Sequence, residues 1–359
     1  MKKIFITLYD AGIANAIAAA LPKLGECYQI TVIAQKNLAA AKLKELLNNE
    51  ELSQFTLFEV DSFIRKQAEE FIRNEKPDAI VTGISDIYKV PDKVDFTIPE
   101  AAAGANIPVI GIFEPIYLAE ELITKRLNHD RHLPSKLIIT SNLMKEYLIQ
   151  SGLYQEEDLF IAPMPKYASY EKIKKAQDLD DTKKYLRQLN NIADDEFALI
   201  FSSSRHETDH NVILWLAQAV SEFKIRTLLT FHPKDSENFR RKCLEIVPNS
   251  TCLNIGNIPQ LKALTALCSG HDGAMCSFKS SILFDVMACQ GNTFSINPDF
   301  PSPSQEAGTV MGIIPCANQI TDICNILISV RTRKSSALHE LKINLQPVND
   351  FVACLNNLL

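Results

Sequence analysis

The chain has 359 residues, 46% of them hydrophobic and 22% charged. That length exceeds one ordinary hydrophobic core, and the composition excludes long disorder, so two domains are expected. A formal charge of −6 and a pI near 5.7 argue against a nucleic-acid partner, which wants a basic face for phosphates.

The basic opening Met1-Lys2-Lys3 leads into the apolar run Ile4–Leu8. Asp10 and Gly12 interrupt that run and no small-residue cleavage site follows, so it reads as a buried strand and not as a leader. Further strand-like runs follow at Ile30–Ala34, Phe55–Val60, Ala79–Thr82, Val109–Phe113, Leu137–Thr140 and Leu159–Ala162, with helix-period segments such as Leu38–Leu47 and Phe63–Arg73 between them. Apolar strands separated by helices indicate a parallel sheet covered on both faces.

From Lys166 to Asn191 the chain is charged and helical in pattern, with no strand candidate. The alternation then resumes. Strands are expected at Ala198–Ser202, Thr227–Phe231, Thr251–Ile255, Ala274–Ser277, Thr293–Ile296 and Val310–Ile314. Helices are expected at Asn211–Phe223, Glu237–Val247, Ile258–Cys268, Ser280–Cys289 and Ile320–Val330, with a last amphipathic segment at Val348–Leu358. The fold class expected is α/β, with two doubly wound, Rossmann-like parallel-sheet domains facing a shared cleft. The first spans residues 1–165, and a helical linker, 166–196, separates it from the second. The second spans 197–345, and a terminal helix at 346–359 returns to the first.

The nine cysteines form no Cys-x-x-Cys pair, and eight of them lie in the second half. They read as reduced core thiols of a cytoplasmic protein, with no metal site. No run approaches the roughly 20 apolar residues of a membrane helix, so membrane contact is expected to be peripheral if there is any.

In doubly wound sheets ligands bind beyond the carboxyl ends of the strands. Three loops of the second half stand there. The loop Ser202-Ser203-Ser204-Arg205-His206-Glu207-Thr208 follows one strand, His232-Pro233 follows the next, and Phe278-Lys279-Ser280-Ser281 leads into a helix that carries Asp285. Hydroxyls, cations and an imidazole at such turns suit a phosphate, and Asp285 is spaced to reach a sugar hydroxyl beside it. The binding candidates are therefore Ser204, Arg205, His206, His232, Lys279, Ser280, Ser281 and Asp285. Helix capping is the plain alternative for the serines.

In the first half, Asp10, Asp86 and Glu114 follow strands and are candidate catalytic bases, Glu114 first because it stands directly at a strand end. Asp10 has helix capping as its alternative. Asp10-Ala11-Gly12-Ile13-Ala14-Asn15 is no Gly-x-Gly-x-x-Gly, so no dinucleotide cofactor is expected.

The order of a Ser-rich loop, His-Pro and Ser-Ser at a helix start resembles the nucleotide-binding half of GT-B-fold enzymes. Cys276-Ser277-Phe278-Lys279-Ser280-Ser281-Ile282-Leu283-Phe284-Asp285 is similar to a segment of CDP-glycerol-type glycerophosphotransferases. His232-Pro233 with Ser280-Ser281 resembles bacterial sialyl- and Kdo-transferases. UDP-N-acetylglucosamine 2-epimerases share the plan, with Ser-Gly-Gly and a Glu where this chain has Ser280, Ser281 and Asp285. Pro77-Asp78-Ala79-Ile80-Val81-Thr82-Gly83 and Phe113-Glu114 are similar to the epimerase segment that ends in a catalytic Glu. An epimerase His-Arg-Arg-Glu-Asn stands here as Ser204-Arg205-His206-Glu207-Thr208.

The resemblance implies a glycosyltransferase-like enzyme of polysaccharide biosynthesis. Its partners would be a nucleotide-activated sugar or polyol donor in the second domain and a carbohydrate or lipid-linked acceptor in the first. A UDP-sugar 2-epimerase or hydrolase, and a non-catalytic binding protein on the same scaffold, are the alternatives.

Overall fold

The computed structural model describes residues 1–84, 92–113, 133–174, 177–204, 209–221, 223, 225–232, 235–278, 280–298, 314–332 and 346–359. The chain divides into two compact units, one of Met1–Ser169 with Asn344–Leu359 and one of Tyr170–Ile343.

The first unit is built on strands β1 (Lys3–Leu8), β2 (Gln29–Gln35), β3 (Thr56–Val60), β4 (Ala79–Gly83), β5 (Val109–Ile112), β6 (Lys136–Ile139) and β7 (Leu159–Ile161). They form one sheet in the order β3-β2-β1-β4-β5-β6-β7, and every neighbouring pair is parallel. The period of two along β1 explains why both faces are covered. Ile4, Ile6 and Leu8 point into one core with Ile17, Leu21 and Leu24, while Phe5 points into another with Ile72, Ile80 and Ile98.

The second unit holds β8 (Phe197–Ser202), β9 (Ile225–Thr230), β10 (Ser250–Cys252), β11 (Gly273–Ser277), β12 (Thr293–Ile296) and β13 (Cys316–Ala317), ordered β10-β9-β8-β11-β12-β13 and again parallel throughout. Phe197, Leu199 and Phe201 face one core, Ala198 and Ile200 the other. Gly273 opens β11 where no side chain fits, since a Cβ there would stand 1.8 Å from the Leu267 carbonyl oxygen.

Two strands differ from their sequence expectation by more than two residues at one end. The sixth strand of the second sheet is Cys316–Ala317 and does not include Ile314, which is buried in the core without pairing. Residues 310–313 lie outside the described residues. Pro315 offers the Ser295 N–H its carbonyl at 2.8 Å but has no N–H to donate, so strand pairing begins one residue later. Strand β10 stops at Cys252, short of Ile255. The Asn254 N–H is drawn off to Asn190 Oδ1 at 2.8 Å, and Gly256 turns the chain at φ 55°.

The charged stretch between the two strand series contains the helices Tyr167–Lys174 and Leu179–Leu189. The second packs on the helix Gln260–Cys268 within the second unit. Lys183 and Arg187 both meet Asp272, and the Asn190 amide donates to the Asn254 carbonyl at 2.7 Å. The helix Pro347–Leu358 belongs to the first unit, where Phe351, Val352 and Leu355 share the core of Ile4 and Leu24. Tyr28 Oη donates to Asn356 Oδ1 at 2.7 Å on its outer side.

Candidate functional site

In the second unit the register sets the end of each central strand at one level. Ser277 of β11 stands opposite Ser202 of β8 on one side and Ser295 of β12 on the other, and Ser202 stands opposite Thr230 of β9. The chain runs from β10 back across the sheet to β11, so the strand order reverses between β8 and β11. That switch point is where open α/β sheets bind ligands.

Hydroxyls bind this edge together. The Ser277 hydroxyl donates to the Ser202 carbonyl at 2.7 Å and accepts from the Ser280 N–H at 3.2 Å. The Ser295 hydroxyl donates to the Phe278 carbonyl at 2.9 Å. Both serines are fully buried. They anchor the start of the loop that carries Lys279, Ser280 and Ser281.

His232 is held by its backbone. Its N–H is shared between Ser203 Oγ and Asp235 Oδ2, each at 2.8 Å, and the Ser203 hydroxyl itself donates to the same carboxylate oxygen. Its carbonyl accepts from the Asp235 N–H at 2.9 Å and from Arg240 Nη2 at 3.3 Å. The loop after β9 is thereby locked to the loop after β8, and the half-buried His232 leaves the same edge as Ser280.

Ser281 begins the helix Ile282–Ala288 in a helical backbone conformation and makes no side-chain cap bond, and it is exposed. Capping, the plain alternative weighed for it in the sequence, is not its role here. Ser280 and Ser204 are half-buried at the same edge. Asp285, in the first turn of that helix, accepts a 2.6 Å hydrogen bond from the hydroxyl of Tyr170. Arg205, His206 and Lys279 lie outside the described residues.

The first unit has its own switch point, between β1 and β4. There Asp10 caps the helix Ala11–Ile17, its Oδ1 accepting from the Ile13 N–H at 3.0 Å, which is the capping role and not evidence for a base. Asp86 and Glu114 lie outside the described residues. Sequence reading missed two charged groups at this edge. Lys93 and Asp95 are each only 1% exposed at the start of the helix Val94–Gly104. The Lys93 ammonium lies 3.9 Å from the centre of the Tyr9 ring. Burial, then the charges of Asp95 and Asp10, push the Tyr9 phenol above its ordinary pKa. Beneath them the Thr7 hydroxyl donates to that of Thr82 at 2.8 Å.

Tyr170, Asp235, Ser277 and Ser295 were missed as well, and Ser203, read in the sequence as one hydroxyl of the first loop, holds the His232 backbone. For the serines a signal exists: a serine at or next to the end of an apolar strand recurs as Ser202 in β8, Ser277 in β11 and Ser295 in β12. Among the described residues no group of His, Cys, Asp and Glu could hold a metal ion, and no helix is long and apolar enough to cross a membrane.

No family model matches the chain and no curated protein matches it by sequence. Solved structures do match in fold. The UDP-GlcNAc 2-epimerase of Methanocaldococcus jannaschii, in complex with UDP-GlcNAc and UDP, superposes with a TM-score of 0.67 at 12% identity, over 99% of both chains. The UDP-GlcNAc 2-epimerase of Neisseria meningitidis bound to UDP-GlcNAc gives 0.66 at 12% identity, over 99% of this chain and 100% of that one. A glycosyltransferase from Rickettsia africae gives 0.62 at 11% identity, over 98% of this chain and 94% of that one. Two parallel α/β units in one chain, matched over nearly their whole length, make this the GT-B-type fold that those epimerases and transferases share.

Proposed function

We propose that the chain is a cytoplasmic enzyme acting on a nucleotide-activated sugar or polyol, and that it transfers the sugar or polyol-phosphate group to a carbohydrate or lipid-linked acceptor. The second unit would hold the nucleotide and the first the acceptor. The observation that carries the reading is the convergence of three loops on the switch point of the second sheet: His232 after β9, Ser204 after β8 and Ser280-Ser281 after β11, on adjacent strands, with Asp285 one turn beyond. Fold does not fix chemistry, so the assignment rests on that arrangement.

The mechanism it suggests is electrostatic. As the acceptor oxygen bonds to the transferred carbon or phosphorus, the bond to the departing nucleotide phosphate breaks and charge grows on that phosphate. His232, the two serine hydroxyls, Arg205 and Lys279 would stabilise that charge. Asp285 would accept hydrogen bonds from sugar hydroxyls beside the phosphates. The acceptor's proton would pass to a carboxylate of the first unit, Glu114 first, then Asp86 or Asp10.

A second reading, a sugar-nucleotide epimerase or hydrolase, is supported by the likeness to two UDP-GlcNAc 2-epimerases and by the buried Lys93 and Asp95 beside the half-buried Tyr9 at the first unit's switch point. Incubation with UDP-, CDP-, CMP- and GDP-linked donors, followed by product analysis, separates the readings. Transfer requires an added acceptor and epimerisation does not. Binding without turnover under either condition would leave a non-catalytic binding module and sink both enzymatic readings.

A further inference from the structure

We propose that Tyr170 is a positioning residue that aims the Asp285 carboxylate at the ribose hydroxyls of the bound nucleotide; this rests on the nucleotide reading above. Tyr170 is only 2% exposed, and its hydroxyl donates to Asp285 Oδ1 at 2.6 Å. That length is the range of a hydroxyl bonded to a charged carboxylate, the stronger class of hydrogen bond. The two residues are 115 positions apart in sequence. Tyr170 lies on the helix Tyr167–Lys174 and Asp285 on the helix Ile282–Ala288, so the bond fixes one helix's side chain from another.

The identity of the donor matters. A carboxylate offers about four lone-pair sites, more than the phenol's bond occupies, and a neutral phenol leaves the carboxylate's charge in place. A lysine or arginine in the same place would neutralise the charge that makes the carboxylate a good acceptor. A hydrogen bond from a buried hydroxyl restricts the rotamers of a short side chain, and a vicinal diol is read best by an acceptor already held in one plane. Burial alone gives the tyrosine hydroxyl a reason to find a partner. That purely structural role predicts a different result.

The test compares ribonucleotides with their 2′-deoxy counterparts. UDP, CDP, GDP and ADP, and the matching deoxynucleoside diphosphates, are titrated by calorimetry into the full-length protein, its Tyr170→Phe and Asp285→Asn variants and the double variant. Thermal midpoints are recorded alongside. The wild type should prefer the ribonucleotide. Tyr170→Phe should weaken ribonucleotide binding by roughly tenfold or more, the worth of one hydrogen bond to a charged group, and weaken the deoxynucleotide, which keeps one of the two hydroxyls, less. Asp285→Asn should erase the preference, and the double variant should be no worse than Asp285→Asn alone.

A lower midpoint for Tyr170→Phe with an unchanged ribose preference would make the tyrosine structural and overturn the inference. Wild-type binding with no ribose preference would also overturn it, while leaving nucleotide binding intact. Failure of the wild type to bind any of the four diphosphates would overturn the functional reading, and the inference with it.

Discussion

The Lys93 ammonium stands 3.9 Å from the centre of the Tyr9 ring, with only 1% of the lysine exposed. A desolvated cation over an aromatic face is worth about 2 kcal/mol. A double-mutant cycle of Lys93→Met and Tyr9→Leu, read by urea unfolding, should therefore return a coupling of about 1–2 kcal/mol. Independent costs with no coupling would show that the contact adds nothing beyond packing.

At the second switch point, Ser281→Ala combined with His232→Ala should weaken nucleotide binding by about two orders of magnitude or more, since each lost charge-assisted contact is worth roughly 1.5–3 kcal/mol. The fold should survive, because Ser281 is exposed and neither side chain belongs to the apolar cores. Unchanged affinity in a well-folded double variant would remove both residues from the site.

Asn292 makes a sharper stability case. Its buried amide nitrogen faces the carbonyls of Cys268, Gly270 and Gly273 at 2.8, 2.7 and 2.9 Å. Asn292→Ala strips a donor from buried acceptors and should cost about 2–3 kcal/mol in urea unfolding. A loss below half a kcal/mol would mean that water replaces the amide.

The thiols predict a pH response. Burial pushes Cys268 and Cys276 well above the ordinary thiol pKa of 9.0 and Cys316 up to about 11, with burial the largest cause in each case. A raised pKa keeps the folded protein protonated where the unfolded chain ionises. The stability this confers is full below pH 9 and is lost as pH rises toward the folded values. Midpoints should fall between about pH 9 and 11. At neutral pH a thiol reagent should reach Cys27 and Cys252, the two exposed cysteines, before the buried Cys243, Cys268, Cys276 and Cys289. Rapid labelling of the buried four would contradict this packing.

The strand framework was legible because doubly covered strands are nearly continuous apolar runs. Ile4–Leu8 and Ala198–Ser202 differ from β1 and β8 by one residue each. Where an apolar run and a strand parted company, at Ile314, the cause was the missing N–H of Pro315, and Ile314 is buried all the same. The strand-end loops were legible for the same reason: once β8, β9 and β11 are placed, His232 and Ser280 must leave one edge. The partners were not legible. Tyr170 sits in a charged helical stretch with no motif around it, and its bond spans 115 residues. Lys93 and Asp95 alternate with Val94 and Phe96 at the start of a helix buried over most of its length, where charge pattern would place them in water.

The helix Pro347–Leu358 closes the core of the first unit, yet it is encoded after the whole of the second. During synthesis the face formed by Ile17, Leu21 and Leu24 must wait for Phe351, Val352 and Leu355 until all of the second unit has left the ribosome. At ordinary elongation rates that delay is on the order of ten seconds or more, far longer than a domain needs to collapse. The first unit's core therefore closes only after the second unit has been made. In the nascent chain, the first unit presents an open apolar groove shaped for one helix, a natural landing place for a chaperone and a site of premature association when none is there.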